Sequence, residues 1–190
     1  TVLPPDVNAS EAVFSVEEKD GSLAIRYALG AIRNVGMEAM RQLVNERKAN
    51  GPFASVDDFT TRLAGVMSKR FLENLVKAGA LDQIEPNRNR LMSGLDLIIA
   101  HGASLRREQE SAQTNLFGGD SGGHGFVLEL PMVHEMVSRE KLDNELDALG
   151  LYISAHPLDD FAQQLASFEV ISSAEIETEV TRKGNGCRIN

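Results

Sequence analysis

The sequence predicts a mainly α fold built on two helix-hairpin-helix units in tandem, and three features carry that prediction. Gly36 and Gly65 each break an apolar, helix-compatible stretch. The residues after each break recur at helical spacing: Ala39, Met40, Leu43 and Val44 after the first, Leu72, Leu75 and Val76 after the second. Asp20-Gly21, between Val13 to Glu17 and Leu23 to Tyr27, has the chemistry of a tight turn and predicts a small leading β-hairpin.

In the first unit, Leu29 to Val44, Ile32 and Val35 pin the hairpin to a core and Gly36 permits the backbone geometry that opens the next helix. That helix runs to Asn50 and stops at Gly51-Pro52. Ser55 reads as an N-cap with Asp58 as a short capping box, giving a helix with Val56, Phe59 and Leu63 inward. Ala64-Gly65-Val66 then breaks the chain, Ser68 caps, and Lys69 to Ala78 forms a helix that Gly79 ends. Asn87 caps a further helix, with Leu91, Leu95, Ile98 and Ile99 as its stripe, running to Gly102 or on through Leu105 to Glu108.

From Ser111 to Gly125 the composition shifts to five glycines and one charge, which predicts a flexible linker. Its apolar island, Gln113-Thr-Asn-Leu-Phe117, reads either as an anchor for a partner's hydrophobic pocket or as a pair folded back on its own domain. Beyond it, Pro131 to Leu149 is expected as a helix stopped by Gly150, with Leu151 to Ile153 a strand or buried turn and Leu158 to Ala166 a short helix after Pro157. Glu177 to Arg182 and Cys187 to Ile189 flank the turn Lys183-Gly-Asn-Gly186, as in the first hairpin of a β-domain. One hairpin does not hold an independent fold, so the chain is expected to be part of a longer polypeptide.

The first hairpin offers a phosphate site. The amides from about Val35 to Glu38 lack intrahelical acceptors and lie at the positive end of the helix dipole, contacts that are blind to base sequence. Taken alone, the same stretch reads more readily as an ordinary tight connection between packed helices. Charge supports the anion: the chain carries −9 overall, yet residues 25–90 hold 11 Lys and Arg against 7 Asp and Glu. Lys69 and Arg70, in a first helical turn where the dipole disfavours them, are placed to meet an anion too.

Other function classes lack their residues. Histidines 101, 124, 134 and 156 are scattered without metal-ligand spacing, and no phosphate loop, nucleophile elbow or dinucleotide fingerprint occurs. Asp143, Glu145 and Asp147 alternate along a helix, so the three do not share one face. Cys187 is the sole cysteine, which excludes an internal disulfide and suits a reducing cytosol, and no apolar run is long enough to span a bilayer. These residues describe a binding module.

Several segments, taken in order, resemble the C-family replicative polymerases, the alpha subunits of bacterial DNA polymerase III. They are Val2-Leu-Pro-Pro-Asp-Val-Asn8, Ile25 to Gly36, Gly51-Pro-Phe53, Lys69-Arg70, Lys77-Ala-Gly-Ala-Leu-Asp82, Asn87-Arg88, Gln113 to Phe117, and Ala148 to Leu158. The resemblance covers essentially the whole chain and implies the region after the palm and fingers. It divides the chain into the hairpin end of the fingers region (1–24), a tandem helix-hairpin-helix domain (25–110), a flexible linker with a clamp-binding motif (111–126), a helical connector (127–168) and the beginning of an OB-fold β-barrel (169–190). The implied DNA-binding residues are Arg33, Asn34, Val35, Gly36, Met37, Glu38, Ser68, Lys69 and Arg70; Gln113, Leu116 and Phe117 would bind the sliding clamp.

The implied partners are double-stranded DNA, the sliding clamp and other polymerase III holoenzyme subunits, in the cytoplasm at the nucleoid. The family's metal-binding aspartates belong to the palm, so Mg²⁺ serves the parent polymerase and the present residues are expected to be non-catalytic, with no catalytic and no metal-binding residue. Two departures stand out: Asn34 where such hairpins often have glycine, and Ala155 in place of the glycine usual before His156-Pro-Leu. Two other readings remain open, the same region of an error-prone C-family paralogue and a repair or adaptor protein that carries tandem helix-hairpin-helix units.

Overall fold

The structure is a computed structural model and describes residues 1–114, 128–162 and 164, with side chains undescribed at 109–114. Residues 1–154 form one compact unit and the chain from Ala155 onward another.

The first unit opens with a three-stranded sheet, β1 (Val2–Leu3), β2 (Ser15–Lys19) and β3 (Ser22–Arg26), in the order β1-β3-β2. The β2–β3 hairpin is antiparallel, pairing Val16 with Ile25 and Glu18 with Leu23. Asp20 and Gly21 both take positive φ, 53° and 74°, the backbone of the two-residue turn that Asp-Gly predicts. β1, unforeseen in the sequence, adds in parallel with Val2 beside Ile25.

Among the described residues six α-helices follow: α1 (Met37–Asn50), α2 (Val56–Leu63), α3 (Lys69–Lys77), α4 (Arg88–Ser93), α5 (Leu95–Thr114) and α6 (Ser138–Leu149). The apolar faces read from periodicity are buried: Met40, Leu43 and Val44 on α1, Val56, Phe59 and Leu63 on α2, Leu72, Leu75 and Val76 on α3, joined by Ile32, Val35 and Phe53. Ser55 accepts from the Asp58 amide at 3.1 Å, and the Asp58 carboxylate accepts in return from the Ala54 amide at 2.9 Å. Ser68 caps α3 by accepting from Phe71.

Four elements differ from expectation. The first arm of the first hairpin is only a 3₁₀ turn, Leu29–Ala31. Gly30 lies against Met37 and the Ala12 carbonyl so closely that a Cβ would stand 2.5 Å from Met37 Cε, and the turn ends at Ile32, which takes extended backbone with ψ 133°. The helix capped by Asn87 ends at Gly94, where a Cβ would meet Leu130 at 2.7 Å. α5 then continues past Gly102 to Thr114, into the stretch expected to be linker and including Gln113. A Cβ at Gly102 would stand 3.4 Å from Met67 and Thr60, an ordinary contact, so the position packs as a small helical residue would and α5 runs through it.

Last, the expected helix from Pro131 begins only at Ser138. The carbonyls of Pro131, Val133 and His134 accept from Arg90, Asn87 and Asn89 side chains, and this draws the segment out along α4. Gly150 stops α6 in the left-handed conformation, as expected.

The leading segment is stitched into the helices. The Asn8 side chain both donates to and accepts from the main chain of Phe53, Arg47 of α1 donates to the carbonyls of Val7 and Ser10, and the Val7 amide donates to Ala80. The boundary expected at residue 24 lies within the unit of residues 1–154, and the one expected at 126 lies outside the described residues. In the second unit a 3₁₀ turn, Asp159–Phe161, stands near the start of the expected short helix. The motif residues Leu116 and Phe117, most of the linker, and the expected β-domain start at 169–190 lie outside the described residues.

Candidate nucleic-acid interface

The two breaks meet. Asn34, in the first hairpin, takes a left-handed φ of 62°, which asparagine tolerates better than most residues. Its Oδ1 accepts from Arg70 Nη2, in the first turn of α3, at 2.8 Å. Residues 36 positions apart are thereby joined, and the sequence-predicted groups Arg33 to Glu38 and Ser68 to Arg70 fall on adjoining surface.

Around this contact the α1 N-terminus lies open. Gly36 caps it with φ 79° and no side-chain hydrogen bond, Val35 is buried beneath, and Met37 and Glu38 are exposed. Among the described residues no acceptor is found for the amides of Gly36, Met37, Glu38 or Ala39, while the Met40 amide already bonds the Gly36 carbonyl and the turn at residues 33 and 34 directs the buried Val35 amide back toward the Ile32 carbonyl. Consecutive free amides at a helix start suit an anionic oxygen. α3 differs, because Ser68 already occupies the Phe71 amide, so this helix contributes its side chains more than its backbone.

The three expected cations all have protein partners. Arg70 uses one guanidinium donor of five on the neutral amide of Asn34 and, among the described residues, has no carboxylate partner. Lys69 pairs with Asp96 of α5 at 2.6 Å, both exposed and held only by a screened surface attraction. Arg33 is committed elsewhere: its main-chain amide donates to the Ala148 carbonyl at 3.0 Å and its guanidinium to the Asp147 carbonyl at 2.7 Å. Arg33 is thus first a C-terminal cap of α6.

Sequence reasoning missed how α6 holds this surface. Its last four carbonyls are all satisfied: Leu146 by the Gly150 amide, Asp147 and Ala148 by Arg33, and Leu149 by the Tyr27 hydroxyl at 3.0 Å. Burial pushes the Tyr27 hydroxyl pKa up. Lys77 of α3 reaches the Asp147 carboxylate at 2.9 Å, a hydrogen bond that raises the lysine and lowers the carboxyl. Deeper in, Glu145, 2% exposed, accepts at 3.2 Å from Arg88, which also grips Asp82. The other Glu145 oxygen takes the amides of Ile153 and Ser154. The signal was available, since Glu145 lies on the stripe of Leu142, Ala148 and Leu149 and so was bound to be buried.

Comparison with known proteins accords with this geometry. A family model described as a helix-hairpin-helix motif matches residues 1–91. Proteins named DNA polymerase III subunit alpha align along most of the chain: that of Caulobacter vibrioides at 42% identity over 92% of this chain and 15% of its own length, and that of Campylobacter jejuni at 33% over 97% and 15%. The Mycobacterium leprae protein aligns at 37% over 88% and 14%. The chain is a homologue of one region of the DNA polymerase III alpha subunit. It spans about one-seventh of the length of these relatives.

The Asn34 departure from glycine has a structural account, because the side chain that replaces a bare backbone is the one that ties in Arg70. Among the described residues no group of three or more His, Cys, Asp or Glu could hold a metal ion. No helix among them is long and apolar enough to cross a membrane.

Proposed function

We propose that this region grips duplex DNA behind the active site of a polymerase III alpha subunit and tethers that subunit to the sliding clamp, without itself performing chemistry. The observation that carries the DNA reading is the Asn34–Arg70 contact beside the unsatisfied α1 amides. It joins fixed backbone donors and a charged guanidinium on one surface, which suits phosphates on neighbouring nucleotides and carries no base readout. The parent polypeptide, following the palm and fingers, would perform template-directed DNA synthesis with Mg²⁺ in the cytoplasm, in company with other holoenzyme subunits, and an OB-fold would begin at 169–190.

The tether reading rests on Gln113, Leu116 and Phe117. Leu116 and Phe117 supply the apolar anchor and Gln113 its orientation. A short motif of this kind binds at micromolar affinity or weaker, about −8 kcal/mol at best, and DNA encircled by the clamp raises its effective concentration. A working clamp motif also favours the replicative subunit over the error-prone paralogue and over an unrelated adaptor.

The DNA test is a salt titration of duplex binding. Arg70→Ala should weaken binding and flatten the slope of log affinity against log salt, and Val35→Pro should weaken it by removing an amide and disturbing the hairpin. A slope unchanged in Arg70→Ala would count against phosphate contact at this surface. For the tether, calorimetric titration against a bacterial sliding clamp should show binding lost in Leu116→Ala/Phe117→Ala, with DNA binding intact. Equal clamp affinity in the two proteins would remove the tether.

A further inference from the structure

The leading sheet turns its apolar residues outward. The register places Val2, Ile25 and Val16 side by side across all three strands, with Leu23 two residues along β3 on the same face. These are 46, 47, 66 and 76% exposed. The opposite face holds Ala24, buried, and the Arg26–Glu17 ion pair. An antiparallel sheet with one solvated face ordinarily keeps its polar residues there. Here the Arg26–Glu17 pair faces in, and the branched apolar residues face water with Glu18, opposite Leu23, beside them.

We infer that this outer face is the seat of a neighbouring domain of the same polymerase polypeptide. Two quantities select that occupant over a second copy. Two strands of five residues and one of two, at ~3.4 Å per residue and spaced ~4.8 Å apart, make a face of roughly 200 Å², well below the about 800 Å² per partner that a stable dimer buries. So small a surface holds only a group already kept close by the chain, where linkage supplies an effective concentration in the millimolar range. The second quantity is length: this chain spans 15% of the Caulobacter polymerase III alpha relative, so most of such a polypeptide is available to cover the face. The inference rests on membership of that family and is independent of the DNA reading.

Thiol labelling tests it. Val16→Cys and Leu23→Cys, each in a Cys187→Ser background, are made in the 190-residue chain and in the full-length alpha subunit that contains it. Circular dichroism of each variant establishes that the sheet and helices persist. Both thiols should react with a maleimide at the rate of an exposed thiol in the short chain and at least tenfold more slowly in the full-length subunit. Equal rates in the two contexts would overturn the proposal. So would concentration-dependent dimerisation of the short chain, measured by sedimentation and abolished by Leu23→Glu, since a second copy would then be the occupant.

Discussion

Arg33 and Asp147, 114 residues apart in sequence, are joined at 2.7 Å through the Arg33 guanidinium and the Asp147 carbonyl. The first hairpin therefore closes the C-terminus of α6 and faces outward at once, and the cation sits where the helix dipole is negative. Removing the guanidinium in Arg33→Ala should cost about 1 kcal/mol, the worth of one such bond, and lower Tm by roughly 2–4 °C in a chain of this size. Its effect on the salt slope of duplex binding should be smaller than that of Arg70→Ala. Equal slope losses would mean that Arg33 leaves α6 to meet a phosphate.

Asn34 allows the backbone and side-chain contributions to be separated. Its left-handed φ costs an alanine about 1–2 kcal/mol and a glycine nothing in sterics, while either substitution removes the acceptor for Arg70. Asn34→Ala should melt lower than Asn34→Gly, and both should bind duplex more weakly than the native chain. Equal melting of the two variants would contradict a left-handed residue 34.

The division between what was legible and what was not follows from range. Local chemistry was readable: Asp20-Gly21 set its turn, Ser55 and Ser68 capped their helices, and Gly150 stopped α6. What failed to show were bonds between distant residues. Pro131 to Val137 has a helical apolar pattern, yet its carbonyls are drawn onto α4 by Arg90, Asn87 and Asn89. The candidate site was readable as two separate stretches, whereas their meeting through Asn34 and Arg70, and the capping of α6 by Arg33 and Tyr27, arise only from packing.

The buried pair Arg88–Glu145 should behave as a unit. Glu145→Ala leaves Arg88 deep in the unit with only Asp82 as its carboxylate partner and strips the Ile153 and Ser154 amides of their acceptor. A loss of roughly 3 kcal/mol is expected in denaturant unfolding. Arg88→Leu/Glu145→Leu should be considerably less damaged than the sum of the single substitutions, because no charge is then left buried alone. Additive losses would show that the two do not depend on each other.

Two carboxylates should give opposite pH signatures. The Lys77 hydrogen bond holds Asp147 below its ordinary value of 3.8 when folded, so the pair's stabilisation is present above that value and is lost as pH falls through the depressed folded pKa. Asp147→Asn should therefore be less stable than the native chain at pH 7, with the difference closing in acid. Asp6 is the reverse case. Burial raises its carboxyl above 3.8 despite the Asn8 amide bonded to it, so between 3.8 and the raised value the folded state binds more protons and stability falls as pH rises. Asp6→Asn keeps an oxygen for that amide and removes the buried charge. Its stability should match the native chain below 3.8 and exceed it by a constant margin above the raised pKa. Urea unfolding from pH 3 to pH 8 would measure both, and an Asp6→Asn curve that stays parallel to the native one throughout would show that burial does not govern this carboxyl.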